Sequence, residues 1–117
     1  MGRLTTHVLD TMLGKPGSGI HVELFRLNGD KREKLMETST NEDGRCDAPL
    51  LAGEDFSPGT YELVFHAGAY FERTGSQLPT PKFLDVVPIR FGISRAEDHY
   101  HVPLLISPYS FSTYRGS

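Results

Sequence analysis

Residues 20–29 read IHVELFRLNG. Ile20, Val22 and Leu24 recur at every second position with His21 and Glu23 between them. A period of two places the three apolar side chains on one face of an extended strand. Asn28 and Gly29 then stand where the chain must reverse, and both residue types tolerate the positive φ that a tight hairpin requires. Beyond the turn, KREKLMETST (residues 31–40) is a more polar strand ended by NEDG (residues 41–44). This pair of strands reads as a hairpin and sets the class: antiparallel β.

The same alternation extends in both directions. RLTTHVLD (residues 3–10) puts Thr5, His7 and Leu9 on one face and Leu4, Thr6 and Val8 on the other, and GKPGSG (residues 14–19) breaks it. CDAPLL (residues 46–51) is a short extended segment, and FSPG (residues 56–59) turns the chain into TYELVFH, where Tyr61, Leu63 and Phe65 alternate with Glu62 and Val64. AGAYFERTG (residues 67–75) predicts a helix of one or two turns stopped by Gly75, too short to cover a sheet alone. FLDVVPIRFGI (residues 83–93) and HYHVPLLI (residues 99–106) each carry a proline, Pro88 and Pro103, whose missing N–H confines it to an edge, an end or a bulge. In YSFSTYRGS (residues 109–117) alternation groups Ser110, Ser112 and Tyr114 opposite Phe111 and Thr113, with Phe111 expected to pack into protein. Seven or eight short strands in one chain of 117 residues predict a single all-β domain, residues 1–117, as two antiparallel sheets face to face with one short helix.

Composition narrows the partners. Twelve Lys and Arg against 15 Asp and Glu give a net charge of -3, and no run of five like charges occurs, which argues against nucleic acid. A hydrophobic fraction of 38% without a long apolar run argues against a membrane-spanning helix. MGRLTTHVLD lacks the apolar centre of a secretory signal, so a cytoplasmic protein is expected. A peroxisomal location stays open, although RGS is not the usual SKL address. Cys46 is the sole cysteine, so neither an internal disulfide nor a Cys-rich metal site can form; it reads as a partly buried thiol beside a turn.

Four polar features interrupt the pattern. His7 lies between Thr5 and Leu9 on one strand face, either satisfied by a neighbouring backbone group or available for chemistry. His99 and His101 share a face, and two imidazoles projecting together suit zinc, but no Cys or Glu stands at a spacing that names a third ligand, so no metal is assigned. Arg45, after the Asp43–Gly44 turn, is either a solvated turn residue or a fork of donors for a planar, oxygen- and nitrogen-rich ligand. Tyr114 offers a hydroxyl to such a ligand. Pattern alone ends at a β-sandwich with a His/Arg/Tyr pocket.

LTTHVLDTMLGKPG (residues 4–17), TNEDGR (40–45), GTYELVFHAGAYFERTG (59–75) and above all HYHVPLLISPYSFSTYRGS (99–117) resemble the transthyretin-like family, and within it the 5-hydroxyisourate hydrolase branch. KPGSG and TPKFLDVVPIRFGI match it less closely, in scaffold regions. The hormone-carrying branch differs at the positions of His7 and His101 and does not end in YRGS, so the resemblance implies an enzyme and not a carrier. It implies a sandwich of two four-stranded antiparallel sheets and a homotetramer with sites at the dimer–dimer interface. The implied reaction is opening of a ring amide of 5-hydroxyisourate to 2-oxo-4-hydroxy-4-carboxy-5-ureidoimidazoline in urate breakdown, without metal or organic cofactor. By the same resemblance His7, Arg45 and His101 are catalytic, His7, Arg45, Tyr114, Arg115 and Ser117 bind substrate alongside Gly116, and His99 is not the principal histidine.

Overall fold

The structure, a computed structural model, describes residues 2–116. In chain order the strands are β1 (Arg3–Thr5), β2 (Val8–Asp10), β3 (Lys15–Pro16), β4 (His21–Asn28), β5 (Lys31–Ser39), β6 (Leu51–Ala52), β7 (Gly59–His66), β8 (Val86–Ile93), β9 (Tyr100–His101), β10 (Leu104–Ile106) and β11 (Phe111–Thr113), with one helix, α1 (Ala67–Arg73), between β7 and β8. The protein is therefore mostly β with one short helix, as the alternation requires.

The hairpin of residues 20–40 forms as expected. β4 and β5 pair antiparallel from Asn28↔Lys31 to His21↔Ser39, and Gly29 takes φ 63° in the turn. β7 adds to the other side of β4, and β8 closes the sheet in the order β5-β4-β7-β8. Pro88 lies opposite Val64 on β8, an edge strand, where a residue without an N–H is tolerated. A register shift between Leu24 and Phe25 breaks strict alternation and buries both. Phe25 is covered by the Arg32 guanidinium, 3.6 Å from its ring centroid.

The expected pair of four-stranded antiparallel sheets needs correction. Beside the β5-β4-β7-β8 sheet stand a three-stranded ladder, β6-β1-β9, and a four-stranded one of shorter strands, β11-β10-β2-β3, and within them β1 runs parallel to β9 and β2 parallel to β10. The second layer is interrupted because Pro103 has no N–H for the ladder and His7 pairs sideways with Arg45. Two backbone bonds bridge the gap, Val102 N–H to the Thr5 carbonyl at 2.9 Å and Leu104 N–H to the His7 carbonyl at 2.8 Å. Between the layers, Leu4, Val8, Leu104 and Ile106 join Val22, Leu24, Leu63, Phe65 and Ile89 in one core. Truncating a fully buried side chain such as Leu63 to Ala costs about 2–5 kcal/mol in a core of this kind.

Helix α1 contributes Tyr70 and Phe71 to that core. It ends as the sequence indicates: Gly75 takes φ 91°, its N–H reaches the Glu72 carbonyl, and the Ser76 N–H reaches the Phe71 carbonyl, which satisfies two final carbonyls. Phe111 departs from expectation. It stays 42% exposed on β11 at the edge of its sheet and lies outside the buried core.

Among the described residues, the buried polar side chains are all engaged. Glu62, 5% exposed, receives Arg32 and Arg90. Asp10, 1% exposed, accepts from the Met12 and Leu13 N–H groups and from the Tyr70 hydroxyl at 2.8 Å. Burial first, then this bond to Asp10, pushes the Tyr70 phenol up to about 12. A Tyr70→Phe variant is expected to lose about 2 kcal/mol of unfolding free energy, the size of a hydrogen bond to a charged group, in urea melts at neutral pH. The raised phenol contributes stability below the ordinary tyrosine range that is lost as pH climbs toward 12, so the difference between the two proteins should narrow there.

Candidate active site

The site begins with a turn. The Asn41 side-chain oxygen accepts from the Asp43 N–H at 2.9 Å and the Arg45 N–H at 3.2 Å, and Gly44 takes φ 76°. A Cβ on Gly44 would lie 2.4 Å from the Val8 carbonyl oxygen, so only glycine lets the turn dock on β2, where the Val8 N–H binds the Gly44 carbonyl at 2.8 Å. Docking makes Arg45 the bridge partner of His7.

The parallel pairing of β1 with β9 sets Thr5 beside His101. His7 and His101 thereby face one another with ring centroids 6.5 Å apart. Arg45, His101, Thr5, His99, Arg3 and Cys46 contribute to a cavity of about 500 Å³, and His7 flanks it. The structure thus brings together His7, Arg45 and His101, three residues that the sequence separates widely.

Hydrogen bonds fix the chemistry of each ring. The Arg3 Nε–H lies 3.3 Å from His99 Nδ1, and a guanidinium only donates, so Nδ1 accepts and the His99 proton resides on Nε2. That proton points to Thr5 Oγ1 at 3.1 Å, which leaves the single hydroxyl hydrogen of Thr5 for His101 Nδ1 at 2.8 Å. With the Thr5 hydroxyl donating to its Nδ1, neutral His101 carries its own proton on Nε2. His7 Nε2 lies 3.0 Å from the Asp43 carbonyl oxygen, an acceptor only, so neutral His7 is protonated on Nε2 and keeps its lone pair on Nδ1.

Both rings are held uncharged. Burial lowers the His7 pKa most, the Arg45 charge lowers it further, and Asp43, by its carbonyl and its charge, partly opposes them. For His101 burial again leads, followed by Arg45, His7 and His99. Cys46 is not a competing nucleophile: burial and then the Asp47 charge push its thiol up, keeping it protonated at neutral pH.

The chain end folds back onto this region. Gly116 exchanges backbone bonds with His101, its N–H to the His101 carbonyl at 2.7 Å, and a Cβ at Gly116 would lie 2.9 Å from His101 Cδ2. Arg115 lies over the Tyr100 ring at 4.0 Å and donates to the His99 carbonyl at 3.2 Å. Tyr114, 60% exposed, lines a separate groove of about 210 Å³ with Ile89, Phe91 and Tyr100, so one chain does not bring its hydroxyl to the histidines. Ser117 lies outside the described residues. Sequence reading missed Thr5, Arg3 and the part played by His99. Thr5 shares a strand face with His7, but nothing local announces that His101 lies next to it.

A family model described as HIUase/Transthyretin family matches residues 4–116. The chain belongs to the HIUase/Transthyretin family. It is 65% identical to a 5-hydroxyisourate hydrolase of Pseudomonas aeruginosa, an alignment covering 100% of this chain and 93% of that protein. Among solved structures, an (S)-allantoin synthase matches with a TM-score of 0.94 and 48% identity over 99% of this chain, which spans 44% of that larger protein. The 5-hydroxyisourate hydrolase of Klebsiella pneumoniae matches with a TM-score of 0.82 and 38% identity over 100% of both chains.

In nitrogen-detected NMR, the rings of His7 and His101 are expected to titrate with midpoints below the ordinary histidine value of 6.5. Replacing Arg45 by Ala should move both midpoints upward, because a shared cationic neighbour is removed while burial remains.

Proposed function

We propose that this chain is a cofactor-independent hydrolase that opens a ring amide of 5-hydroxyisourate. The observation that carries the reading is the pair of imidazoles with lowered pKa values, His7 with its lone pair on Nδ1 and His101 with its N–H on Nε2, close to the Arg45 guanidinium. Amide hydrolysis needs these three things: a base for water, an electrophilic partner for the carbonyl oxygen, and an acid for the departing nitrogen. The 65% identity to a 5-hydroxyisourate hydrolase supports the choice of substrate.

In this reading His7 Nδ1 takes a proton from water as the water oxygen bonds to the carbonyl carbon. Arg45 faces the oxygen on which negative charge grows, and its planar fork matches a flat, oxygen- and nitrogen-rich ring. As the ring C–N bond breaks, the imidazolium formed on His7 hands that proton to the leaving nitrogen, and His101 Nε2–H donates a hydrogen bond to the ring while keeping its own proton. Thr5, backed by His99 and Arg3, acts as a positioning residue, since its hydroxyl holds the tautomer that lets His101 donate. Lowered pKa values keep His7 available as a base near neutrality instead of protonated.

Tyr114, Arg115 and Ser117 enter as substrate-binding groups through assembly. We place the working site in a homotetramer, at the interface where dimers meet, with the exposed Tyr114 hydroxyl contributed across that seam. The exposed Phe111 on an edge strand supports a covering partner surface.

The test is the decay of 5-hydroxyisourate generated from urate, followed by absorbance with and without purified protein. His7→Gln and Arg45→Ala should each lower kcat by about a hundredfold or more with the oligomer intact. Undiminished turnover in either would remove that residue from the chemistry. Because protonation of His7 abolishes its lone pair and its pKa is lowered, the midpoint of the acid-side loss of activity should lie below the ordinary histidine value of 6.5. Thr5→Val should lower kcat more than it raises KM, and Thr5→Ser, which keeps the hydroxyl, should restore most of the rate.

A further inference from the structure

A second cluster of imidazoles lies on β4 and β7, built from residues that the proposed hydrolysis does not use. His21 and Glu23 are two positions apart on β4 and so project from the same face. The register Val22↔Phe65 continues to set His21 across from His66 at the end of β7. The rings of His21 and His66 stand 5.0 Å apart, and one donor atom from each of His21, Glu23 and His66 lies within 4.8 Å of the other two. None of the three is fully exposed.

The cluster is held together by ion pairs. Lys34 of β5 reaches Glu23 Oε2 at 3.1 Å and also Glu37, while Glu37 Oε2 lies 3.2 Å from His21 Nε2 and Glu23 Oε1 lies 2.7 Å from His66 Nε2. Glu23 and Glu37 set two carboxylates against the one ammonium of Lys34. Such a group favours a further cation.

We infer that His21, Glu23 and His66 form a binding site for a divalent transition metal of the zinc class. Two imidazoles and a carboxylate are a donor set that suits zinc, and Glu37 stands ready as a fourth ligand. Tetrahedral zinc with bonds of about 2.1 Å needs its donors about 3.4 Å apart. Donors now within 4.8 Å reach that spacing by side-chain rotation alone, since the sheet holds their backbones in register. Lys34 is the built-in competitor: its ammonium occupies the carboxylates that the metal would take. The site lies on the β5-β4-β7-β8 sheet, and its ligands are separate from the histidines at the cavity.

The experiment is calorimetric titration of zinc chloride into the full chain carrying His101→Asn, which weakens zinc capture at the cavity histidines. One zinc per chain is expected to bind, and His21→Gln or His66→Gln added to this background should weaken it by about tenfold or more, a ligand being worth no less than an outer-shell partner. Lys34→Met should tighten it, a gain that a misfolded variant would not produce. Circular dichroism establishes that each variant is folded. Zinc affinity unchanged by His21→Gln and His66→Gln in folded protein, or absent on the His101→Asn background, would overturn the inference. His66→Gln on the unmodified chain should leave hydroxyisourate decay unaffected; a parallel loss of that activity would show that the cluster is not separate from the hydrolytic site.

Discussion

The pairing of residues 3–10 with residues 100–106 is the constraint on which the rest depends. It joins segments 96 residues apart, runs parallel, and breaks in the middle, where His7 turns to Arg45 and Pro103 offers no N–H. A continuous ladder would satisfy every backbone group and leave little space beside the histidines. The interruption opens that space, and the bonds from Val102 and Leu104 keep the two halves aligned across it. Here the break in the sheet and the candidate site coincide.

Electrostatics follow from that geometry. Two histidines brought close together, partly buried and near Arg45, resist protonation, so the arrangement disfavours imidazolium at either ring. The direction of each hydrogen bond then separates two chemically identical side chains. A backbone carbonyl claims the N–H of His7, whereas a hydroxyl donates to His101. The difference originates with Arg3, whose donor-only guanidinium sets the tautomer of His99, then the orientation of Thr5, then the tautomer of His101. Each of these links fails if the register of β1 against β9 slips by one residue, because side chains then exchange faces.

The chain end belongs to the same assembly of contacts. Glycine at 116 is required by the nearness of the His101 ring, and Arg115 closes over Tyr100. The terminal motif thus has a structural reason within one chain. Tyr114 and Phe111 do not, since Phe111 on the edge strand β11 and Tyr114 just beyond its end both remain substantially exposed. That contrast is consistent with a site completed by association.

The sequence by itself determined the β class, the hairpin at Asn28–Gly29, the stop of α1 at Gly75, the exclusion of Pro88 from the middle of a sheet and the chemical identity of His7, Arg45 and His101. These are local matters: alternation, turn preference and side-chain chemistry act over a few residues, and they are written in adjacent positions. The tertiary structure alone decided that the second layer is split and partly parallel, that Thr5 rather than a neighbour in sequence supports His101, and that Tyr114 faces away from the histidines. It also decided that His21, Glu23 and His66 converge. Pairing between distant strands depends on how the two layers share one core, and a tautomer depends on the partners that this pairing supplies; neither leaves a periodic mark in the chain.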